Sequence, residues 1–371
     1  VSWCLTAWWL GFDTEKAGGS RVPFLLLLVL APVGAWASSG METGVVIALV
    51  TLSSTRNRFG LIPAGLAAAL RPELSVYALV LALSRAKTLR QLPVAVLCST
   101  LPVLCVALLR VIFFGHPFPL AAVAKPADLG AGVFYSVQAA LLAGPFWLWL
   151  SPGWKRLERR EQGLALAIIA HLVAVALAGG DWMVLLRLVV PVLPVALRIA
   201  AFLYVSQRLY SRIPTWVCAI AVTAYLGFHT ALPGRHLVNQ RMALVTEGRK
   251  LLRGAKVVAA LDVGWVGVAH AGKVVDFAGV TDPRVAVLPG GHTTKRIDAA
   301  LLRVNDVDRI VLLLSPGENV QSPWQNSRFA RGVEYRAAAF AAESGCTLDG
   351  TLPLRGTSQK YVAARCYPNS N

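Results

Sequence analysis

Apolar positions in this chain are gathered into long runs over roughly its first 234 residues and then give way to a mixed, alternating pattern. Val22–Val33, Leu92–Phe114, Gly132–Leu150, Leu164–Ala178, Met183–Val205 and Trp216–Leu232 carry few charges. Several reach or approach the roughly 20 residues a helix needs to cross a hydrocarbon core about 30 Å thick. Two shorter runs, Phe59–Leu70 and Leu74–Ser84, form an out-and-back pair with Arg71-Pro72-Glu73 at its tip. They are too brief for two full spans and suit tilted or re-entrant segments, which are tolerated against protein or a water-filled cavity.

From Arg235 onward the pattern predicts an α/β tail. Val238–Leu252, Arg296–Val304 and Tyr335–Ala342 have helical spacing, whereas Lys256–Leu261, Arg309–Leu314, Cys346–Leu354 and Lys360–Cys366 read as strands. Val266–Ala269 and Lys273–Phe277 suggest a hairpin around Ala271-Gly272. The expected fold is therefore an α-helical polytopic membrane domain over residues 1–234, of about nine segments, followed by a small α/β domain over residues 235–371. A remnant of a further segment is expected at Val1–Gly11, and the chain reads from its first residue as mid-protein, so upstream segments are expected.

Composition sharpens this picture. A 371-residue chain that is 56% hydrophobic, 15% charged and of mean hydropathy +0.58 is too apolar for a soluble domain of its length. The net charge of +17 raises nucleic acid as a partner. However, the basic excess of the first part falls mostly in short loops, and the tail has no Lys/Arg stripe with interleaved aromatics, which argues against it. The cationic loops are Arg56-Asn57-Arg58, Arg85/Lys87/Arg90, Lys155–Arg160 and Arg208/Arg212. With these loops inside, the runs alternate without violation and the tail emerges outside. Cys4, Cys98, Cys105 and Cys218 lie in apolar runs and read as small buried hydrophobes. Cys346 and Cys366 flank a strand-turn-strand pattern and become a disulfide candidate if the tail lies outside the cytosol. No Cys-x-x-Cys or His cluster suggests a metal, no cofactor is identified, and a divalent cation has no support in the sequence.

The same sidedness brings Glu42, Glu73, Asp128 and Asp181 out on one face, beside Arg71, Arg110, His116, Lys125 and Arg187. Carboxylates at a membrane boundary are costly unless water or a partner meets them, so the set suggests a site. Taken singly, its members are weaker. Glu42 follows Ser39 and Gly40, either of which could cap a helix with Glu42 in its first turn. Arg71 and Glu73 could simply pair. Lys125 is a compact charge suited to phosphate and Arg110 a bidentate donor, against a solvated lysine and a snorkelling arginine. Gly179-Gly180-Asp181 frees the backbone and opens the next helix, in which Arg187 lies below the surface and needs Asp181 or an anionic ligand. Pro191 and Pro194 are expected to kink that helix. His171 reads as a hydrogen-bonded core histidine. In the tail, Asp262, Asp276 and Asp282 read as turn caps, and Gly264 and Gly267 make no dinucleotide fingerprint because no helix is expected there.

In order and sidedness, Trp36…Ser39-Gly-Met-Glu-Thr43, Leu70-Arg-Pro-Glu73, Gly115-His-Pro-Phe-Pro…Ala124-Lys125, Gly179-Gly-Asp-Trp-Met…Arg187…Pro191 and Asp262-Val-Gly…Gly267…Val275-Asp-Phe-Ala-Gly-Val-Thr-Asp-Pro283 resemble one family. This is the GT-C class of polytopic glycosyltransferases that use polyprenyl-phosphate sugars. The closest likeness is to the mycobacterial-type cell-wall arabinofuranosyltransferases, over most of residues 30–285. The resemblance implies a bacterial cytoplasmic-membrane protein with a periplasmic C-terminal domain. Its activity would be transfer of a sugar, a pentofuranose among the candidates, from a polyprenyl-phosphate donor to a cell-envelope glycan or lipid acceptor. On it, Lys125, Arg187 and Arg110 would hold the phosphate with Arg71 in reserve, and Glu73 and His116 join the substrate-binding set. Asp181 and Glu42 would orient sugar or acceptor. The family's acidic pair after the first helix has no counterpart, since before Trp36 the only acids are Asp13 and Glu15, on the predicted inner side. The main base is therefore expected upstream of Val1. A transporter or flippase of a lipid-linked saccharide and a non-catalytic glycan-binding homologue are the alternatives.

Overall fold

The structure, a computed structural model, describes residues 2–24, 33–35, 42–55, 60–124, 128–142, 150, 153–181, 185–205, 209–320 and 326–366. It divides into two compact units, one of Val1–Pro117 with Ala127–Ala231, the other of Phe118–Pro126 with Leu232–Asn371. The second unit therefore takes a piece of the long loop that the sequence assigned to the helical part.

In chain order the helices are α1 (Ser2–Lys16), α2 (Thr43–Ser53), α3 (Leu61–Leu70), α4 (Ser75–Arg85), α5 (Leu92–Phe114), α6 (Leu120–Ala124, in the second unit), α7 (Leu129–Leu142), α8 (Arg159–Leu177), α9 (Leu193–Val205) and α10 (Leu209–Leu251). Local chemistry explains several ends. α5 carries a proline in its first turn, where the missing N–H costs nothing, and stops at Gly115, whose φ of 72° suits a left-handed cap. α3 is rich in alanine, the best helix former, and packs on α2 and α5; α8 packs on α4 and α7. Ile47, Val50, Ala67, Leu81, Leu164 and Ile168 lie in the shared core. Among the described residues, two helices, α5 and α8, are long and apolar enough to cross a membrane. The other apolar helices are shorter, including the pair α3 and α4 that replaces the two brief runs.

Two expectations are corrected here. Met183–Val205 does not form one helix kinked at its prolines. Residues 185–189 are turns, a 3-10 turn follows at Val190–Val192, and α9 begins at Leu193, with Pro191 and Pro194 at its entry. Proline starts a helix more readily than it bends one, because the first N–H groups have no partner in any case. The run Trp216–Leu232 and the helical stretch Val238–Leu252, read as separate elements, belong to one helix, α10, of 43 residues.

The second unit holds a five-stranded sheet in the order β2-β1-β3-β5-β4, with β1 (Val257–Ala260), β2 (Lys273–Asp276), β3 (Arg309–Leu313), β4 (Thr347–Pro353) and β5 (Lys360–Arg365). β1 lies parallel to both β2 and β3, while β3–β5 and β5–β4 are antiparallel. Every residue of β3 is buried, as its continuous apolar run requires. The predicted hairpin at 266–277 is wrong. Val263–Ala269 is a helix, α11, that carries the chain from β1 to the parallel β2, and Gly264 and Gly267 lie inside it. A helix does accompany these glycines, contrary to expectation, although they are in its body rather than in a loop before it. Short helices α12 (Pro283–Ala286) and α13 (Ala299–Val304) precede β3, and α14 (Gly332–Glu343) follows it. Cys346 and Cys366 are joined as a disulfide.

Asp276 and Asp282 do cap turns. The first accepts from the amides of Ala278 (2.7 Å) and Thr281 (2.8 Å), the second from that of Arg284 (3.0 Å). Asp262 does not cap; it pairs with Arg331 Nη1 at 2.7 Å and accepts from the Tyr361 hydroxyl at 2.5 Å. Arg331 also donates to Glu334, a fully buried carboxylate that accepts the Leu313 amide of β3 at 2.8 Å. One guanidinium thus neutralises two acids between α11, α14 and the sheet. Arg331→Leu is expected to destabilise this unit by about 3–5 kcal/mol, the usual effect of stranding a buried charge. Faster amide exchange in the β3 and β5 peptides of the full chain measures it; unchanged protection would refute the role.

Candidate functional site

The irregular stretch 185–189 sets the local architecture of the helical unit. Leu185 and Leu186 have φ of 65° and 55°, a left-handed region that non-glycine residues rarely occupy. Leu186 and Val189 are buried, so their neighbours' peptide groups cannot rely on water. The amides of Val189 and Val190 donate to Leu186 O at 2.9 and 3.0 Å. Three further groups are met by side chains from three other segments. Leu188 N donates to the Tyr135 hydroxyl at 2.9 Å, Leu188 O lies 2.9 Å from His171 Nε2, and Arg187 O accepts from Arg71 Nη1 at 3.0 Å. The other ring nitrogen of His171 lies 3.1 Å from Glu73 O. A neutral imidazole can donate to only one of these carbonyls; both are served by donation only in the imidazolium.

Glycines make the approach possible. A Cβ on Gly132 of α7 would fall 2.0 Å from Ala176 O and 2.9 Å from Gly179 Cα, and one on Gly180 would fall 2.9 Å from Tyr135 Cβ. Gly180 also has φ of 68°. Backbone-to-backbone contact between α7 and the end of α8 is therefore what delivers Tyr135 to Leu188.

The same crossing gathers charge. Arg71, only 4% exposed, pairs with Glu73 (Nε–Oε1 2.8 Å) and approaches Glu42 (3.8 Å) and Thr43 Oγ1 (3.4 Å). Arg187 pairs with Asp181 at 2.7 Å. The side chains differ in access: Asp181 is 2% exposed, Arg187 18%, Glu73 20% and Glu42 39%. Glu42 stands at the position just before α2 rather than within its first turn, and its side chain makes no cap bond. Ser39 and Gly40, the expected caps, lie outside the described residues, as does Lys125.

Of the nine charged or titratable residues expected on this face, the structure thus brings together Glu42, Arg71, Glu73, Asp181 and Arg187. Asp128 instead caps α7 by accepting the Ala131 amide at 3.1 Å. Arg110 is half-exposed near the end of α5 and makes no ion pair with the group, and His116 follows Gly115 in the loop beyond it. Tyr135 went unremarked in the sequence; its signal was a phenol inside an apolar run, one turn after Gly132. Among the described residues no group of three or more His, Cys, Asp or Glu side chains is placed to hold a metal. Chemically, the arrangement offers one open carboxylate, Glu42, able to accept a proton. It also offers one partly open guanidinium, Arg187, steadied by Asp181. Arg71 commits Nη1 to Arg187 O and Thr43 and Nε to Glu73, which makes it a brace.

No protein-family model, curated protein or solved structure matches the chain.

Tyr135→Phe strands the buried Leu188 amide and is expected to lower stability by about 1–3 kcal/mol, read by thermal unfolding of the purified full chain. Gly132→Leu, which forces backbones apart, is expected to cost more than Tyr135→Phe. Equal stability of Tyr135→Phe and the parent would remove the assigned bond.

Proposed function

We propose that this chain is a membrane-embedded glycosyltransferase of the GT-C kind, moving a sugar from a polyprenyl phosphate to an extracytoplasmic glycan or lipid. One observation carries the reading: Glu42, Arg71, Glu73, Asp181 and Arg187, distant in sequence, converge around a buried, non-helical peptide stretch. The apolar helices α5 and α8 support the membrane setting, and the basic loops near their cytoplasmic ends support its orientation. Irregular backbone inside a bilayer persists only where protein or a water-filled cavity meets it, which is how residues 185–189 are held.

In the proposed reaction an acceptor hydroxyl oxygen bonds to the anomeric carbon as the bond from that carbon to the phosphate oxygen breaks. In place of the base expected upstream of Val1, and beyond the orienting role the resemblance implied, the hydroxyl proton passes here to Glu42, the most open carboxylate of the group. Arg187 forks onto the departing phosphate and balances its growing charge. Asp181, nearly inaccessible, keeps that guanidinium in place.

The broken segment ahead of α9 gives specific support to a second reading, a carrier of lipid-linked saccharide, because transporters use interrupted helices in this way. Membranes incubated with radiolabelled polyprenyl-phosphate sugars separate the two, since transfer releases the sugar to acceptor whereas a carrier only moves the intact lipid across. Binding with neither outcome would indicate a glycan- or lipid-binding homologue. For the transferase, Glu42→Gln is expected to lower turnover by about 10²–10⁴-fold. Arg187→Ala should lower it by about 10²–10³-fold, with normal membrane insertion in both. Unchanged turnover in both variants would overturn the proposal.

A further inference from the structure

A second charged feature lies in the helical unit, away from Glu42 and Arg71. Arg71 and Glu42 sit at the start of α2, whereas Ser53 and Ser54 close its other end, about 16 Å along at 1.5 Å per residue. There Arg85 donates to Ser53 O and Arg160 to Ser54 O. Both arginines line a cavity of about 770 Å³, together with Lys87, Arg90 and Arg159. Among the described residues Glu158 is the one carboxylate in that lining. Arg85 Nη1 is buried without a hydrogen-bond partner among the described residues, whereas Arg160 Nη1 lies 3.8 Å from the buried carboxylate of Glu161. The cavity also receives the N-terminal ends of two long helices, α5 at Gln91 and α8 at Arg159, whose dipoles add to the positive potential.

The rest of its wall is mainly apolar, with Leu61, Ile62, Val94 and Ala95 beside the polar Thr55, Ser84 and Gln91. From Val94 an exposed stripe continues up α5 through Leu97, Leu101, Leu104 and Leu108, at helical spacing. Of the 23 residues of α5 only Ala95 and Ser99 are buried. A cationic hollow that opens onto an exposed apolar helix face matches an amphiphile with an anionic head and hydrocarbon chains.

We infer that this cavity is a binding site for the phosphate headgroup of an anionic phospholipid, whose acyl chain lies along the exposed face of α5. Cationic hollows between helices on the cytoplasmic side are well suited to such headgroups, because a buried phosphate gains several charge-assisted bonds at once. Arg85 and Arg160 are fixed by their bonds to the end of α2, and Arg85 presents its remaining donor without further ordering, while Glu161 holds Arg160 from behind. Lys87, Arg90 and Arg159 are exposed and complete the ring of charge. The inference rests on the membrane setting proposed above and is independent of the transferase chemistry.

Native mass spectrometry of the purified full chain tests it, with phosphatidylglycerol, phosphatidylcholine and inorganic phosphate added separately. The expected result is at least tenfold preference for phosphatidylglycerol over phosphatidylcholine, with inorganic phosphate failing to displace the lipid at equal concentration. The triple variant Lys87→Gln/Arg90→Gln/Arg159→Gln, confined to exposed side chains, is expected to lose that preference. Equal retention of both lipids by the parent chain overturns the inference, as does inorganic phosphate that competes on equal terms or a triple variant that keeps the preference. Carbonate extraction of native membranes keeps the two readings apart. Release of the chain would refute the membrane setting, whereas retention without lipid preference would refute this site alone.

Discussion

A buried peptide stretch that is not helical must find its hydrogen bonds elsewhere, and residues 185–189 impose that requirement on the helical unit. Each outside partner comes from a different segment: Tyr135 from α7, His171 from α8, and Arg71 from the turn between α3 and α4. An unpaired buried amide or carbonyl costs about 1–3 kcal/mol, so the three contacts fix those segments relative to one another. They also explain why charge collects here. Arg71 can reach Arg187 O from inside the core only if its own charge is met, and Glu73 and Glu42 do so. A lysine could not replace it, because one ammonium lacks the planar fork that serves a carbonyl, a hydroxyl and a carboxylate in different directions.

α2 is tied at both ends by arginines from other parts of the unit. Arg71 reaches Thr43 at its start, and Arg85 and Arg160 take the carbonyls of Ser53 and Ser54 at its finish. The last carbonyls of a helix have no internal partner and carry the negative end of its dipole, so guanidinium groups there satisfy both demands. With only 11 residues, α2 could hardly be stable alone. Its anchors and its buried residues Val46, Ile47 and Val50 make it part of the core.

Much of this was legible in the sequence where one strong signal acted alone. The long apolar run Leu92–Phe114 and the strands at 309–314 and 360–366 were read nearly to the residue, since length and β-branched content decide such segments. Errors arose where two rules competed. Val266–Ala269 is a short apolar run that fits helix or strand equally, and only its parallel neighbours show it to be a crossover helix. Pro191 was read as a kink because apolar residues flank it on both sides, yet the same proline is better placed in a first turn. For the candidate site, sidedness predicted that Glu42, Glu73, Asp181, Arg71 and Arg187 share a face. Their actual partners include backbone carbonyls, which every residue carries, so neither the bracing by Arg71 nor the contribution of Tyr135 could be found from residue types.

Access divides the acids of the group more sharply than their number does. Asp181 and Arg187 form a pair in which the acid is hidden and the base partly open, while Glu42 is the open member beside the enclosed Arg71. On the proposed transferase reading an anion entering here would meet one partly exposed guanidinium, already paired with Asp181, and, close by, carboxylates that would repel a second negative group. On the proposed reading that balance favours a donor bearing a single phosphate next to neutral sugar hydroxyls, which carboxylates accept readily. A diphosphate would need more cations than the group can spare. At the far end of α2 cations prevail: among the described residues five line the cavity with Glu158, and Glu161 lies behind Arg160. On the two proposals the ends would suit different anions: the first a monophosphate that leaves once its sugar is transferred, the second a headgroup that stays.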